Sequence, residues 1–421
     1  MRLTLTEAAD PEVTTNEELM LRAALHVRRA DVQREGYQRA EAAAIACKQS
    51  KKDHTQSSYT LVVDYGQNME LPTFSSEQPG MTYYFSPLTV NNLGIVDHAH
   101  VNEDGSVVMH MHAHVYHEGV GKKGANNVAS LLTKTLKDNK IIRENESGFK
   151  LTVVFDNCTG QNKNNTVLKL VPYYVEMGYF QEVEFLFLIV GHTKNACDRY
   201  FNQLKRLSRR ENTYTMEEMY ERLADCEDVT IYRTQASDFK DMSAFLNQFY
   251  NDYSGMIKQH HIFRCTIHDI DSEEGKVYVQ FRQSLLPEDE PVRMNVKKAN
   301  FANKDDFVDE EAAFEYRKTI MADLESEVHV VKQKGLNPYK KYEMWSKYGS
   351  MVDESARQDP IYAKPCEEDL EKVLKERGMR KRFRDDVAEL KEWGDLEKTR
   401  VKREDKDKAL DILDRIAGLK K

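Results

Sequence analysis

Three short apolar runs constrain this chain more than any other feature: YTLVVDYG at 59–66, KLTVVFD at 150–156 and EVEFLFLIV at 182–190. Each is rich in β-branched and aromatic residues and too short for an ordinary helix, so each predicts a strand buried in a sheet. Two of them carry an acid at or near their end, Asp64 and Asp156. Between these two, TYYFSPLTVNNLGIVDHAHV (82–101) reads as a broken strand. NEDG (102–105) reads as a turn and SVVMHMHAHVYH (106–117) as the return strand of a hairpin. A helix is predicted in KKGANNVASLLTKTLKD, with Val128, Leu131, Leu132 and Thr135 on one face. Others are predicted from Asn164 to Met177, kinked at Pro172, and from Lys194 to Arg210.

The order strand, hairpin, helix, strand, helix, strand, helix implies an α/β fold. Three consecutive antiparallel strands are followed by two strand–helix crossovers. They make a five-stranded mixed sheet flanked by helices, in which the first, fourth and fifth strands are parallel neighbours. A doubly wound dinucleotide-binding sheet competes. The early hairpin and the lack of G-x-G-x-x-G after the first strand argue against it and against a nucleotide cofactor.

Four regions are expected. Residues 1–55 form a helical lead-in, with a Thr15/Glu18 capping box and a break at Gly36. Residues 56–255 form the catalytic core, residues 256–304 a small β unit and residues 305–421 a charged, mostly helical tail. Beyond 210, TMEEMYERLAD and SDFKDMSAFLNQFYNDY also read as helical.

The chain has 421 residues, a net charge of -9 and six scattered cysteines with no C-x-x-C pair. A zinc knuckle and a disulfide framework are therefore not expected. No apolar run approaches the ~20 residues of a membrane helix, and MRLTLTEAADPEV lacks the layout of a secretory signal. The expectation is a protein that is not secreted, has no membrane partner and works in the nucleus or otherwise the cytoplasm.

An acid at the end of an apolar strand is costly to bury without compensation. If the strands of Asp64 and Asp156 lie side by side, the two carboxylates converge and repel unless they share a proton or a cation. Mg²⁺ or Mn²⁺ with retained waters suits such a pair. It serves phosphodiester cleavage or strand transfer. Asp198, on the helix after the third buried strand, is the third candidate. Asn157, Gln161 and Asn162 follow Asp156 and offer amides to phosphates, bases or metal waters. His192 and Lys194 precede Asp198 and can meet a phosphate or move a proton. The competing reading of each is structural: strand-end acids form turns, and Asn caps helices.

FDNCTGQNKN followed by EFLFLIVGHTKNACDRYF resembles an uncharacterised eukaryotic domain family derived from DDE-type, ribonuclease H-like transposases and integrases. That family carries D-N-x-x-x-Q-N-K-N and G-H-T-x-x-x-x-D-R-x-F blocks. VVDYGQNMELP resembles its first-acid strand, and HEGVGKKGANNVAS its W-x-E-x-x-x-x-x-G-x-x-E-x-x-S segment. Asn127 stands where many relatives have an acid, and His117 near an expected aromatic.

The resemblance covers about residues 20 to 250. It implies a ribonuclease H-like fold, DNA as partner, possible homo-oligomers, and metal-dependent strand cleavage and joining by Asp64, Asp156 and Asp198. Lys163 and Arg199 fall in its blocks and would bind substrate. Relatives commonly carry Cys/His-containing sequence upstream, so a piece of a mobile-element protein is expected. An inactive domesticated relic that binds DNA or protein, and a processing nuclease without strand transfer, are the alternatives.

Three features stand apart. His110, His112 and His114 alternate on one strand and share a face, while the hairpin register predicts that His98 and His100 face away from them. A packed sheet face is favoured there over a metal site. KRLSRR (205–210) and MRKRFR (379–384) are basic runs that read as solvated helix faces, phosphate contacts or import signals. Leu410, Leu413 and Ile416 mark an amphipathic tail helix.

Overall fold

The computed structural model describes residues 16–50, 53–75, 80–143, 146–192, 195–271, 276–298 and 310–376. The chain divides into two units, Met1–Gln78 with Thr89–Gly335, and Pro79–Leu88 with Leu336–Lys421. In chain order, the first unit begins with α1 (Asn16–Gln49), β1 (Ser58–Tyr65), the short β2 (Met69–Leu71) and the hairpin β3 (Leu88–Val101) and β4 (Val107–His117). Then come α2 (Ala125–Asp138), β5 (Gly148–Phe155), α3 (Asn165–Leu168), α4 (Leu170–Glu176), β6 (Phe180–Phe187), α5 (Ala196–Ser208) and α6 (Met216–Ala224). It continues with β7 (Val229–Arg233), α7 (Met242–Leu246), β8 (Ile262–Thr266), β9 (Ile270–Asp271), β10 (Lys276–Arg282), β11 (Val292–Asn295) and α8 (Glu310–Ser326).

The strands lie in the order β11-β10-β8-β6-β5-β1-β3-β4-β7, with β2 on β3 and β9 on β10. β1 sits between antiparallel β3 and parallel β5, β4 is antiparallel to β3, and β6 is parallel to β5. These neighbours and directions agree with the expected arrangement of the central strands. The sheet is larger than five strands, however. β7 adds parallel to β4, and β8, β10 and β11 continue antiparallel beyond β6. Residues 262–295, expected as part of a separate small β unit, therefore extend the same sheet. Their alternation explains it: Phe263, Cys265, Val277, Val279 and Phe281 all enter the main core.

That core lies on one face of the sheet. Leu61 and Val63 of β1, Leu151, Val153 and Phe155 of β5, and Phe185 and Phe187 of β6 pack there with α2, α4 and α7. Burying each such side chain stabilises by roughly 1.5–3 kcal/mol. α1 and α5 approach the opposite face. Thr60 Oγ1 donates to Ala40 O at 2.9 Å, and Cys197 Sγ lies 3.5 Å from Val62 O.

α1 runs unbroken through Gly36, where a Cβ would lie 2.1 Å from Leu285 Cδ1. The glycine serves a close approach and does not end the helix. The expected kink occurs: α3 and α4 part at Lys169, and Pro172 has no N–H for Leu168 O. SDFKDMSAFLNQFYNDY yields only a 3₁₀ turn and the short α7. Phe239, Phe245, Phe249 and Tyr250 are drawn into the core from it, so burial overrides helical propensity.

In the second unit α9 (Pro338–Ser346) packs on the segment 80–88. Ser86 N donates to Glu343 at 3.0 Å, and the Phe85 and Tyr348 rings meet edge to face. Thr15, Lys194, the MRKRFR run and Leu410–Ile416 lie outside the described residues. Among the described residues no helix is long and apolar enough to cross a membrane.

Candidate functional site

β1 and β5 pair in parallel with Val63 opposite Phe155, so the next residues, Asp64 and Asp156, follow side by side. Neighbouring strands are about 4.8 Å apart. Val63 and Phe155 point into the main core, which turns both acids to the other face, toward α5. Asp64 Oδ1 accepts from Tyr65 N at 2.7 Å, and Oδ2 accepts from Asn195 Nδ2 at 3.0 Å. Burial is the main cause that pushes the Asp64 carboxyl up to about 6. The Asn195 bond resists the shift, and the charges of Asp156 and Asp198 add to it. Asp156 is also raised, chiefly by burial, against hydrogen bonds from Asn162 Nδ2 and Cys158 N.

Asp198 enters through α5. Asn195 is the N-cap: its Oδ1 accepts from Cys197 N at 2.9 Å, and Asp198 Oδ2 accepts from Asn195 N at 3.2 Å. Asn195 therefore links Asp64 and Asp198, with Oδ2 of each engaged in the link. This residue was missed in the sequence, although N-x-x-D before a helix is a readable capping box. Lys123 was also missed. Its Nζ donates to Gly66 O at 3.0 Å, and Asp64 is the charge that partly restores a lysine pKa lowered by burial.

The remaining candidates divide. Asn162 is buried on Asp156, and its Oδ1 has no hydrogen-bond partner. The backbone carbonyl of Gln161 accepts from Asn164 Nδ2 at 3.0 Å, and Asn157 is half-buried beside Asp156. Lys163 is buried with its amine 5.9 Å from the Phe187 ring centroid, and burial brings its pKa down to about 8. His192 is tied to α1: Arg34 donates to its carbonyl at 2.9 Å, and its ring lies 5.6 Å from that of His26. Arg199 is exposed on α5, over the ring of Tyr200. The structure thus links Asp64 to Asp198 through Asn195, pairs Asp156 with Asn162 beside them, and holds Lys163 and His192 against other partners.

The carboxylate and amide oxygens form a hard-oxygen donor set suited to a divalent cation such as Mg²⁺ or Mn²⁺. Among the described residues no three His, Cys, Asp or Glu side chains converge as they stand. The fit is therefore to a cation held by the Asp64–Asp156 pair with waters completing its shell, which Mg²⁺ tolerates.

The histidines arrange themselves differently from expectation. Leu93, Ile95 and Asp97 face His114, His112 and His110, but a bulge then sets His100 opposite Val108. The extra residue returns His100 to the face of the trio, where its ring stacks on His110 at 4.4 Å. His98 does face away, within 2.7 Å of Tyr37 Oη and 3.0 Å of Glu41.

A family model described as a domain of unknown function, DUF7869, matches residues 85–284, a stretch that holds Asp156 and Asp198 but not Asp64. No curated protein matches the chain at a significant level. Among solved structures, NurA bound to dAMP and manganese aligns at 11% identity and a TM-score of 0.14, over 73% of this chain and 63% of that one. Another NurA structure aligns at 11% identity and a TM-score of 0.15, over 66% and 56%. The chain thus spans less than two thirds of the length of either, and scores this low carry no argument about fold or function.

Proposed function

We propose that the first unit is a ribonuclease H-like core of the DDE type, and that it cuts or joins DNA strands with Mg²⁺ or Mn²⁺. The observation that carries this reading is the parallel β1–β5 register, which sets Asp64 and Asp156 side by side. Asp64 and Asp156 would hold the cation, with Asp198 joining them if its capping bond opens. Bound there, the cation supplies a more acidic water or 3′-hydroxyl and neutralises charge on the leaving oxygen. The chain's own residues do the rest. Asn162 fixes the rotamer of Asp156, Asn195 fixes that of Asp64, and Lys123 sets a positive charge near the pair. Strand transfer and processing cleavage differ only in the nucleophile, so both stay within this proposal.

A second reading is a domesticated relic that uses the fold to bind DNA or protein. The capping role of Asp198 favours it, since that oxygen is occupied in building α5. Nicking of supercoiled plasmid in Mg²⁺ and in Mn²⁺, by wild type and by Asp156→Asn, separates the two. Activity lost in the variant is expected. An inactive wild type, or equal nicking by both, overturns the enzyme reading.

A further inference from the structure

Beside Asp64 lies a cavity of about 230 Å³, between the ends of β1 and β3 and one flank of α5. Its walls are unlike those of a cation site. Phe201 and Met69 give it an apolar side, Asn92 and Asn202 bring amides, and Lys205 reaches its rim, bonded to Gln67. The Phe201 ring lies flush on the sheet because two glycines let it. A Cβ on Gly66 or on Gly94 would come within 2.9 Å of that ring. Asn92 is 2% exposed, lines the cavity, and its Oδ1 has no hydrogen-bond partner. A buried amide oxygen without a partner is uncommon and points to an acceptor awaiting a donor.

Asp64 and Asp198 also line the cavity, so an anionic group is repelled from its interior. What fits is a neutral planar group with hydrogen-bond donors on its edge, attached to an anion that stays outside. We infer that this cavity takes the base of a single-stranded nucleotide whose phosphate stays outside, at the Lys205 rim. Phe201 stacks on the base, Asn92 and Asn202 meet its edge, and Lys205 meets a backbone phosphate. An unpaired strand is required, because a base held in a duplex stack cannot enter without being turned out. The inference rests on the nucleic-acid reading above and adds to it the form of the substrate.

The test uses the full chain and three labelled ten-residue deoxyribose-phosphate strands, with Ca²⁺ in place of Mg²⁺. One strand has no bases, one has a single central 2-aminopurine, and one has every base. Binding is read by anisotropy and stacking by 2-aminopurine fluorescence. The single base is expected to tighten binding by about tenfold, the scale of one stacked base, and to be quenched. Asn92→Ala should abolish both effects. Asn202→Ala, at an exposed position and so safe for folding, should reduce them. Equal binding of the base-free and single-base strands overturns the pocket while the nucleic-acid reading stands. No binding of even the complete strand overturns both.

Discussion

Two polar clusters are buried in the same sheet, and they are built to opposite ends. The imidazoles of β3 and β4 are spread among one another and among hydroxyls. His110 Nε2 meets Thr230 at 2.8 Å, and His114 meets Thr135 at 2.7 Å and Thr234 at 3.3 Å. Burial holds His110 down to about 4, and His112 and His114 to about 3, so all three stay neutral and pack as half-polar core. The carboxylates at the ends of β1 and β5 instead lie on neighbouring strands with unpartnered amide oxygens nearby, on Asn162 and Asn92. Each cluster keeps a buried atom without a partner, His112 Nε2 in the first and the two amide oxygens in the second, but only in the second do the unpartnered atoms sit beside carboxylates that a cation or a donor would satisfy.

The largest effect expected from this contrast is a separation of activity from stability. Asp156→Asn keeps the shape of the side chain and removes a charge that burial disfavours. Metal-dependent nicking should fall about 100- to 1,000-fold, a barrier higher by about 3–4 kcal/mol. The melting temperature should stay level or rise. Thermal melts beside the nicking assay check this. A variant that loses both together would place Asp156 with the structural cluster.

Much of this contrast was readable before the structure. The two acids, their strands and the strands' adjacency followed from apolar runs and element order, because a buried strand leaves a strong local signal. What escaped depended on contacts across the chain or on a single extra residue. The bulge at Asp97/His100 changes the face of one histidine and leaves no trace in the alternation. Gly36 looks like a helix breaker until Leu285, far along the chain, is set against it. VTIYR becomes the short β7 by pairing along the edge of β4, a partner more than a hundred residues away. The roles of Asn195 and Asn92 needed the packing of α5 on β1 and β3.

The imidazole cluster predicts an acid-sensitive fold. Above about pH 6.5 these histidines are neutral in the folded and unfolded states alike. Below it the unfolded chain takes up protons that folded His112 and His114 resist until about pH 3, so stability falls as pH falls. At pH 5 the loss is about 2 kcal/mol for each. Asp97, whose pKa burial raises, works in the opposite sense and offsets part of it. Urea midpoints at pH 7 and pH 5 should drop in wild type and drop less in His112→Phe. The same drop in both would remove His112 from the account.

The smallest expected effect tests the join between α5 and the acids. Asn195→Ala removes an N-cap, which costs about 1 kcal/mol, and also frees Asp64 Oδ2. If Asn195 positions Asp64 for a cation, the Mn²⁺ concentration for half-maximal nicking should rise about tenfold, as for loss of an outer-sphere hydrogen bond. The rate at saturating Mn²⁺ should change little. Asn195→Ser separates the two roles, since serine caps a helix well but is too short to reach Asp64 from the same backbone position. Stability should return in the serine variant while the raised Mn²⁺ requirement remains. If serine restores both, Asn195 acts on the helix alone, and the hydrogen bond to Asp64 has no part in holding the carboxylate for metal.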